Sequence, residues 1–448
     1  MNQTEVDRLT SLRKEIETLR DLQRKMISIL SCDESHISAE IEELLCFITT
    51  ISISTNFSIY EGFLRIFVHL SVYFNIQQKD EIIDGFYIIL RELISKHSLA
   101  SSFHQSTLFF IFKENKHFLL FLLEEGILDL SYIENEILAN DNKNLFIYFI
   151  PEIKKMNPNF YREQMTQFYI VEEEINKIYY LQDNEHSERQ ETKYTIRRKI
   201  YSQEEIAKII QSDDIVQFLN YVARFENFDY NGRIKPSFLE NNKDINNYIN
   251  DGISLLEYSM AFGSINIFRF LWSHQAEYSQ ESLKYCIIGG NNDIIHILED
   301  GIVNSQNIYA KMSRDIYHLD YDNYIQSIKY YRSDIQDYIR NNNTEMPPLT
   351  FSNIFKIFNE THNIDILYDL LYCNGNSHTN NHSQPFEYNK FLKQLEQQNY
   401  EEISPILVLF DGEIEISFYF IFVFILQYQN IDLNSISCIY DSISLLFF

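Results

Sequence analysis

The sequence predicts an all-α protein, and three observations carry that prediction. Apolar residues recur at three- and four-residue steps along most of the 448 residues, the spacing of one helix face. Runs that alternate apolar and polar residues between Gly or Pro breakers are missing, so no sheet is expected beyond short hairpin pairings. Helix-breaking residues are scarce as well: there are 11 Gly and 7 Pro, where average usage would give roughly 31 Gly. No proline precedes Pro151.

Residues 1–31 read as one amphipathic helix. Leu9, Ile16 and Leu30 form one row, and Leu12, Leu19 and Met26 a second row offset by three, with Gln23 interrupting the first. The stripe is about three heptads long, the minimum for a coiled coil. A helix laid half-buried on the following helices is the preferred reading. Further apolar segments follow; in EIIDGFYIILRELI, Ile82, Ile83, Phe86, Ile89, Leu90 and Leu93 share one face. Residues 182–201 are polar and nearly free of aliphatic residues, which marks a candidate linker. The expected organisation is therefore a helical N-terminal module (1–181), the linker (182–201), a repeat domain (202–375) and a degenerate or truncated repeat tail (376–448). Helices are expected to resume at Ser202, where SQEE has the form of a capping box.

Two stretches repeat. Aligning Gly263 with Gly290 matches Leu256 with Leu283, Ser259 with Cys286, Ile267 and Phe268 with Ile294 and Ile295, and Leu271 with Leu298. Each unit is a short helix, a glycine turn and a longer apolar helix. Weaker copies surround Asn115, Asp334 and Asp365, and another lies near Asp411–Ile416. Gly126, Gly252, Gly263, Gly290, Gly301 and Gly412 all fall at turn positions of the pattern. A small residue lets two helices approach, and a left-handed turn favours glycine.

This pattern resembles the ankyrin repeat. Ser254-Leu255-Leu256-Glu257 stands where that repeat carries Thr-Pro-Leu-His, Ser259 takes the small-residue position and Gly263 the turn. Residues 202–340 are most similar to an ankyrin-like domain family of unknown function expanded in parasitic protists. The resemblance covers roughly residues 105–375 and implies an ankyrin-like α-solenoid with degenerate repeats. It also implies that the residue after the His position, here Tyr258 and Tyr285, faces a concave groove. Tyrosine suits a recognition surface, but that reading requires both rings to be exposed. The plainer reading packs them between neighbouring first helices.

Composition narrows function. The net charge is −27, from 64 acidic and 37 basic residues, which repels phosphate backbones and argues against nucleic-acid binding. No Gly-rich phosphate loop, G-x-S-x-G or H-E-x-x-H occurs, so no catalytic residue and no cofactor is expected. Glu172-Glu173-Glu174 splay around a helix and read as a solvated face. Cys373, His378 and His382 have metal-like spacing, but a structural zinc site needs a fourth ligand, and a His-bearing loop is preferred. The five scattered cysteines suggest reduced thiols in a cytoplasmic protein. The N-terminus lacks an apolar signal region. The aromatic run Phe418–Leu426 is shorter than the roughly 20 residues of a membrane helix. The expected function is a protein–protein interaction scaffold whose partner the sequence does not reveal. A membrane-peripheral protein using 418–426, or a degenerate product without function, is the alternative; small-molecule binding is not expected.

Overall fold

In a computed structural model of the chain, the structure describes residues 3–74, 80–173, 175, 197, 202, 204–246, 252–304, 319–342, 357–358 and 360–366. Among these residues helices dominate, as the periodicity predicts, and strand is confined to one two-residue antiparallel pairing. Cys373, His378, His382, Gly412 and the segment 418–426 lie outside the described residues.

Ten helices come first among the described residues: α1 (Gln3–Ser31), α2 (Glu34–Thr50), α3 (Phe57–Tyr73), α4 (Asp80–Lys96), α5 (Leu99–Ser102), α6 (Gln105–Phe112), α7 (Lys116–Glu124), α8 (Leu130–Asn140), α9 (Lys143–Met156) and α10 (Pro158–Gln167). Their starts follow from local chemistry. Asn115, Asp129, Asn142 and Asn157 each accept a backbone N–H of the first turn of α7, α8, α9 and α10, replacing partners that a helix start lacks. Pro158 occupies the first helical position of α10, where its missing N–H costs nothing. The expected apolar face of α4 is buried in full. Phe67, Phe86 and Phe118 bring α3, α4 and α7 together, with ring centroids 5.1 Å apart for Phe67–Phe86 and 5.3 Å for Phe67–Phe118.

Among the described residues from 204 to 342, eight helices form four pairs. They are α11 (Glu205–Gln211) with α12 (Ile215–Val222), α13 (Leu255–Ala261) with α14 (Ile265–Ser273), α15 (Leu283–Gly289) with α16 (Asn292–Asn304), and α17 (Tyr321–Lys329) with α18 (Ser333–Asn342). Each first helix packs on the next first helix, from α11 through α13 and α15 to α17. The second helices α12, α14 and α16 do likewise. Between α12 and α13, β1 (Arg233–Ile234) pairs with β2 (Ile253–Ser254), and Ser254 and Glu257 close a capping box on α13.

Two sequence expectations change here. The capping box lies at Ser254, not Ser202: α11 begins at Glu205 behind Glu204, and the Ser202 hydroxyl merely accepts the Glu204 N–H at 3.3 Å. Gly301 is not a turn residue, because α16 runs through it to Asn304. Residues on both sides of the segment 182–201 belong to one compact unit, Lys25–Thr55 with Leu64–Met346; the other unit comprises Met1–Arg24, Asn56–Phe63 and Pro347–Phe448. Arg197 within the segment 182–201 is 1% exposed and grips α9: its Nη2 and Nη1 donate to Glu152 Oε1 at 2.6 Å and Oε2 at 3.1 Å.

Candidate functional site

The turns of the four pairs share one geometry. Asp213, Gly263, Gly290 and Tyr331 occupy corresponding positions and all have positive φ, between 49° and 64°. The residue after the left-handed one, or its neighbour, bonds back to the preceding pair. The Ser264 hydroxyl donates to the Ile210 carbonyl at 2.5 Å, Asn291 Nδ2 to the Gly263 carbonyl at 3.0 Å and Arg332 Nη2 to the Ile288 carbonyl at 2.8 Å. These are C-terminal carbonyls of first helices or their turns, which have no partner within the helix. Gly289 is fixed by contact: a Cβ there would lie 1.9 Å from the Met260 carbonyl oxygen.

Tyr258 and Tyr285 are both buried, at 2% and 3% exposure. The groove assignment called for exposed rings, and both rings are instead packed inside the helix stack. Tyr258 reaches α11, accepting from Gln211 Nε2 at 2.6 Å, and its ring packs against Phe262. The Tyr285 ring lies 4.8 Å from the Lys284 ammonium. Their burial follows from the close approach of α11, α13 and α15.

The structure also holds a polar seam which sequence reasoning missed. Residues 237–246 form a loop held by its own asparagines: Asn246 Nδ2 donates to the Ser237 carbonyl at 2.8 Å, and the Asn242 N–H donates to Glu240 Oε1 at 2.8 Å. On one side the loop meets α7 and α3. Lys116 Nζ donates to the Glu240 carbonyl at 2.8 Å, the Lys116 N–H to Asn241 Oδ1 at 3.1 Å, and Asn242 Nδ2 to the Val72 carbonyl at 3.3 Å. On the other side it meets α17. The Tyr330 hydroxyl lies 3.0 Å from Asn242 Oδ1 and 2.8 Å from Asp244 Oδ2, and Lys329 Nζ donates to the same carboxylate at 2.8 Å. His69 of α3 bonds the Lys329 carbonyl at 3.2 Å.

Burial shifts the seam's titrations. It raises Glu240 to about 7, against the opposing pull of the Asn242 N–H and the Lys116 charge. It lowers Lys116 to about 8. His117 falls to about 3 through burial, helped by the Lys116 charge. Burial alone would raise Asp244, but the charge and hydrogen bond of Lys329, the Tyr330 hydroxyl and the Lys284 charge outweigh it and hold the carboxyl below its ordinary range. Perturbed groups often mark functional sites, but structural ion networks shift pKa values as well. Among the described residues no three His, Cys, Asp or Glu side chains gather as metal ligands, and no helix is long and apolar enough to cross a membrane.

The seam was hard to see because its members are scattered over more than 250 residues and most are Asn, Tyr and Lys in an Asn-rich chain. The signal available was the run Glu240-Asn241-Asn242-Lys243-Asp244, polar yet placed between apolar segments. No protein-family profile, curated protein or solved structure matches this chain.

Proposed function

We propose that the chain is a non-catalytic interaction scaffold whose pairs α11–α12 to α17–α18 form an ankyrin-like α-solenoid that presents a surface to a protein partner. One observation carries the reading. The left-handed turn residue recurs at the aligned position in all four pairs, and turns bond to the pair before them. Such units bury their apolar faces only by stacking, and stacking generates an extended surface. The reading assigns no catalytic residue, metal or cofactor, and the net charge of −27 sets nucleic acid aside as a partner. The similarity to the ankyrin-like family of parasitic protists belongs to this proposal.

The test is a purified two-component measurement. A protein captured by the full chain is titrated against it, and the complex is cross-linked and mapped. Saturable binding with cross-links concentrated in residues 202–342 is the expected result. Binding that does not saturate, or cross-links confined to residues 1–181, contradicts the proposal.

A further inference from the structure

At two aligned outward positions the second helices are polar in every pair but the first. Aligning the left-handed turn residues sets Val216 of α12 against Asn266, Asp293 and Asp334, and Leu219 against Arg269, His296 and Asp337. One turn on, Ala223 stands against Ser273 and Asn341. All of these residues are exposed, Val216 at 65% and Leu219 at 43%. Steps of three and four residues put Val216, Leu219 and Ala223 on one helix face, with Asn220 as its polar member. The fold does not call for apolar residues there. Phe218 serves the inward face of α12; it is fully buried and meets Phe270 of α14 edge-on at 5.7 Å. A further pair stacked before α11 would not cover the outward face either, because Asn266 and Arg269 stay exposed although α12 and α16 flank α14. Aliphatic side chains gain free energy on leaving water. An exposed aliphatic pair, at positions the same chain elsewhere makes polar, therefore marks a contact face.

Charge names the partner's chemistry. The outward rows of successive pairs touch: Asn266 Nδ2 donates to Asp213 Oδ2 at 2.9 Å, Arg269 lies 3.9 Å from Asp293, and Asn292 Nδ2 donates to Asp334 Oδ2 at 3.1 Å. The apolar end at α12 thus continues into a row carrying Asp213, Asp214, Asp293, Asp334 and Asp337. Its basic residues are Arg269, which faces Asp293, Arg332, which is turned inward onto the Ile288 carbonyl, and His296. We propose that the second-helix face from α12 to α18 docks a cationic amphipathic helix of a protein partner. The partner's apolar residues cover Val216 and Leu219, and its Lys or Arg side chains lie along Asp293, Asp334 and Asp337. The inference rests on the scaffold reading and deepens it by naming the face and the occupant. Neighbouring helices packed 8–10 Å apart give a row of roughly 30 Å from α12 to α18, the length of a helix of about 20 residues. A second copy of this chain would bring the same carboxylates to the face, and like charges repel.

Fluorescence anisotropy with the full chain tests this. The probe is a labelled synthetic helix of about 20 residues, built from Leu, Ala and Lys with one apolar face; a twin carries Glu in place of every Lys. The Lys probe should bind saturably and weaken as salt rises, because exposed charge pairs are screened, and the Glu twin should not bind. Val216→Asn/Leu219→Gln removes the aliphatic pair without changing charge and should weaken the Lys probe about tenfold. Asp293→Asn/Asp337→Asn should flatten the salt dependence. Leu138→Asn, at a leucine of α8 that is 52% exposed, should leave binding unchanged. Circular dichroism melts of the variants should match the wild type, as all the changes are on the surface. Unchanged binding by Val216→Asn/Leu219→Gln, equal weakening by Leu138→Asn, or equal binding of the Glu twin overturns the proposal. So does self-association of the full chain that Val216→Asn/Leu219→Gln abolishes, since a second copy would then be the occupant. A captured protein that cross-links to residues 202–342, but neither competes with the Lys probe nor responds to that variant, overturns this inference and leaves the scaffold reading standing.

Discussion

Asp213, Gly263, Gly290 and Tyr331 hold a left-handed backbone in equivalent turns, yet only two of them are glycine. An L-residue there carries roughly 1–2 kcal/mol of strain, so something must offset it. At Asp213 the carboxylate accepts the N–H groups of Asn266 and Ile267, at 3.1 and 3.0 Å, which caps the start of α14. Gly289 is constrained differently, by the Met260 carbonyl. We expect Gly289→Ala to cost more than Gly263→Ala: a Cβ at Gly289 would lie 1.9 Å from the Met260 carbonyl oxygen, and such overpacking of backbone costs about 3 kcal/mol or more, whereas at Gly263 the added methyl carries about 1–2 kcal/mol of left-handed strain. Urea midpoints check the order, and equal shifts would show that α13 and α15 separate without penalty. The repeat of Gly263 and Gly290 reveals the first requirement in the sequence. The second is invisible there, because the atom Gly289 must avoid belongs to a different pair.

At the scale of elements, polar residues inside apolar patterns prove to be joints. Gln23 breaks the stripe of α1 and is fully buried; its Nε2 donates to Asn363 Oδ1 and Asp365 Oδ2, each at 3.0 Å, and its Oε1 accepts the Ile364 N–H at 2.9 Å. Arg197 does the same for α9. Removing one partner of a buried ion pair strands the other charge, so Arg197→Met should cost on the order of 3–5 kcal/mol. The Arg197→Met/Glu152→Met pair should cost less than half of that. Chemical denaturation of the cycle decides, and an additive result would mean the two charges do not support each other. The polar seam offers a pH test. Glu240 has its folded pKa raised from 4.5 to about 7, so its contribution to stability is present below pH 4.5 and is lost as pH rises through about 7. Lys116, lowered to about 8, contributes above its unfolded value and loses that as pH falls through about 8. His117, lowered to about 3, opposes Glu240 on the acid side, which is why a difference measurement is needed. Relative to the wild type, Glu240→Gln should be more stable at pH 8 than at pH 5. A stability difference independent of pH would show that Glu240 titrates normally.

For the whole molecule, periodicity made the class legible but not the connectivity. The all-helical content, the buried face of α4 and the two glycine turns follow from spacing alone. Which helices meet does not, since the contacts of Asn242 with Val72 and Tyr330 span 170 and 88 residues, and nothing local in an asparagine announces such a partner. One compact unit draws on residues on both sides of 182–201, so chains cut at residue 190 should not behave as independent domains. Fragments 1–190 and 191–448 are each expected to lose helicity and cooperative melting when alone, and to recover both on mixing, as read by circular dichroism. Cooperative melting of either fragment by itself would count against that dependence.

The bonds from Gln23 to residues 363–365 have a consequence for biosynthesis. Their partners are separated by 340 residues or more. At translation speeds of about 5–20 residues per second, Gln23 leaves the ribosome roughly 17–70 seconds before its acceptors exist. Throughout that interval α1 carries an amide in the middle of an apolar stripe with nothing native to receive it. Helix α1 is thus made long before it is completed, and the nascent chain passes through a stage in which folding chaperones have a sticky, unfinished helix to hold.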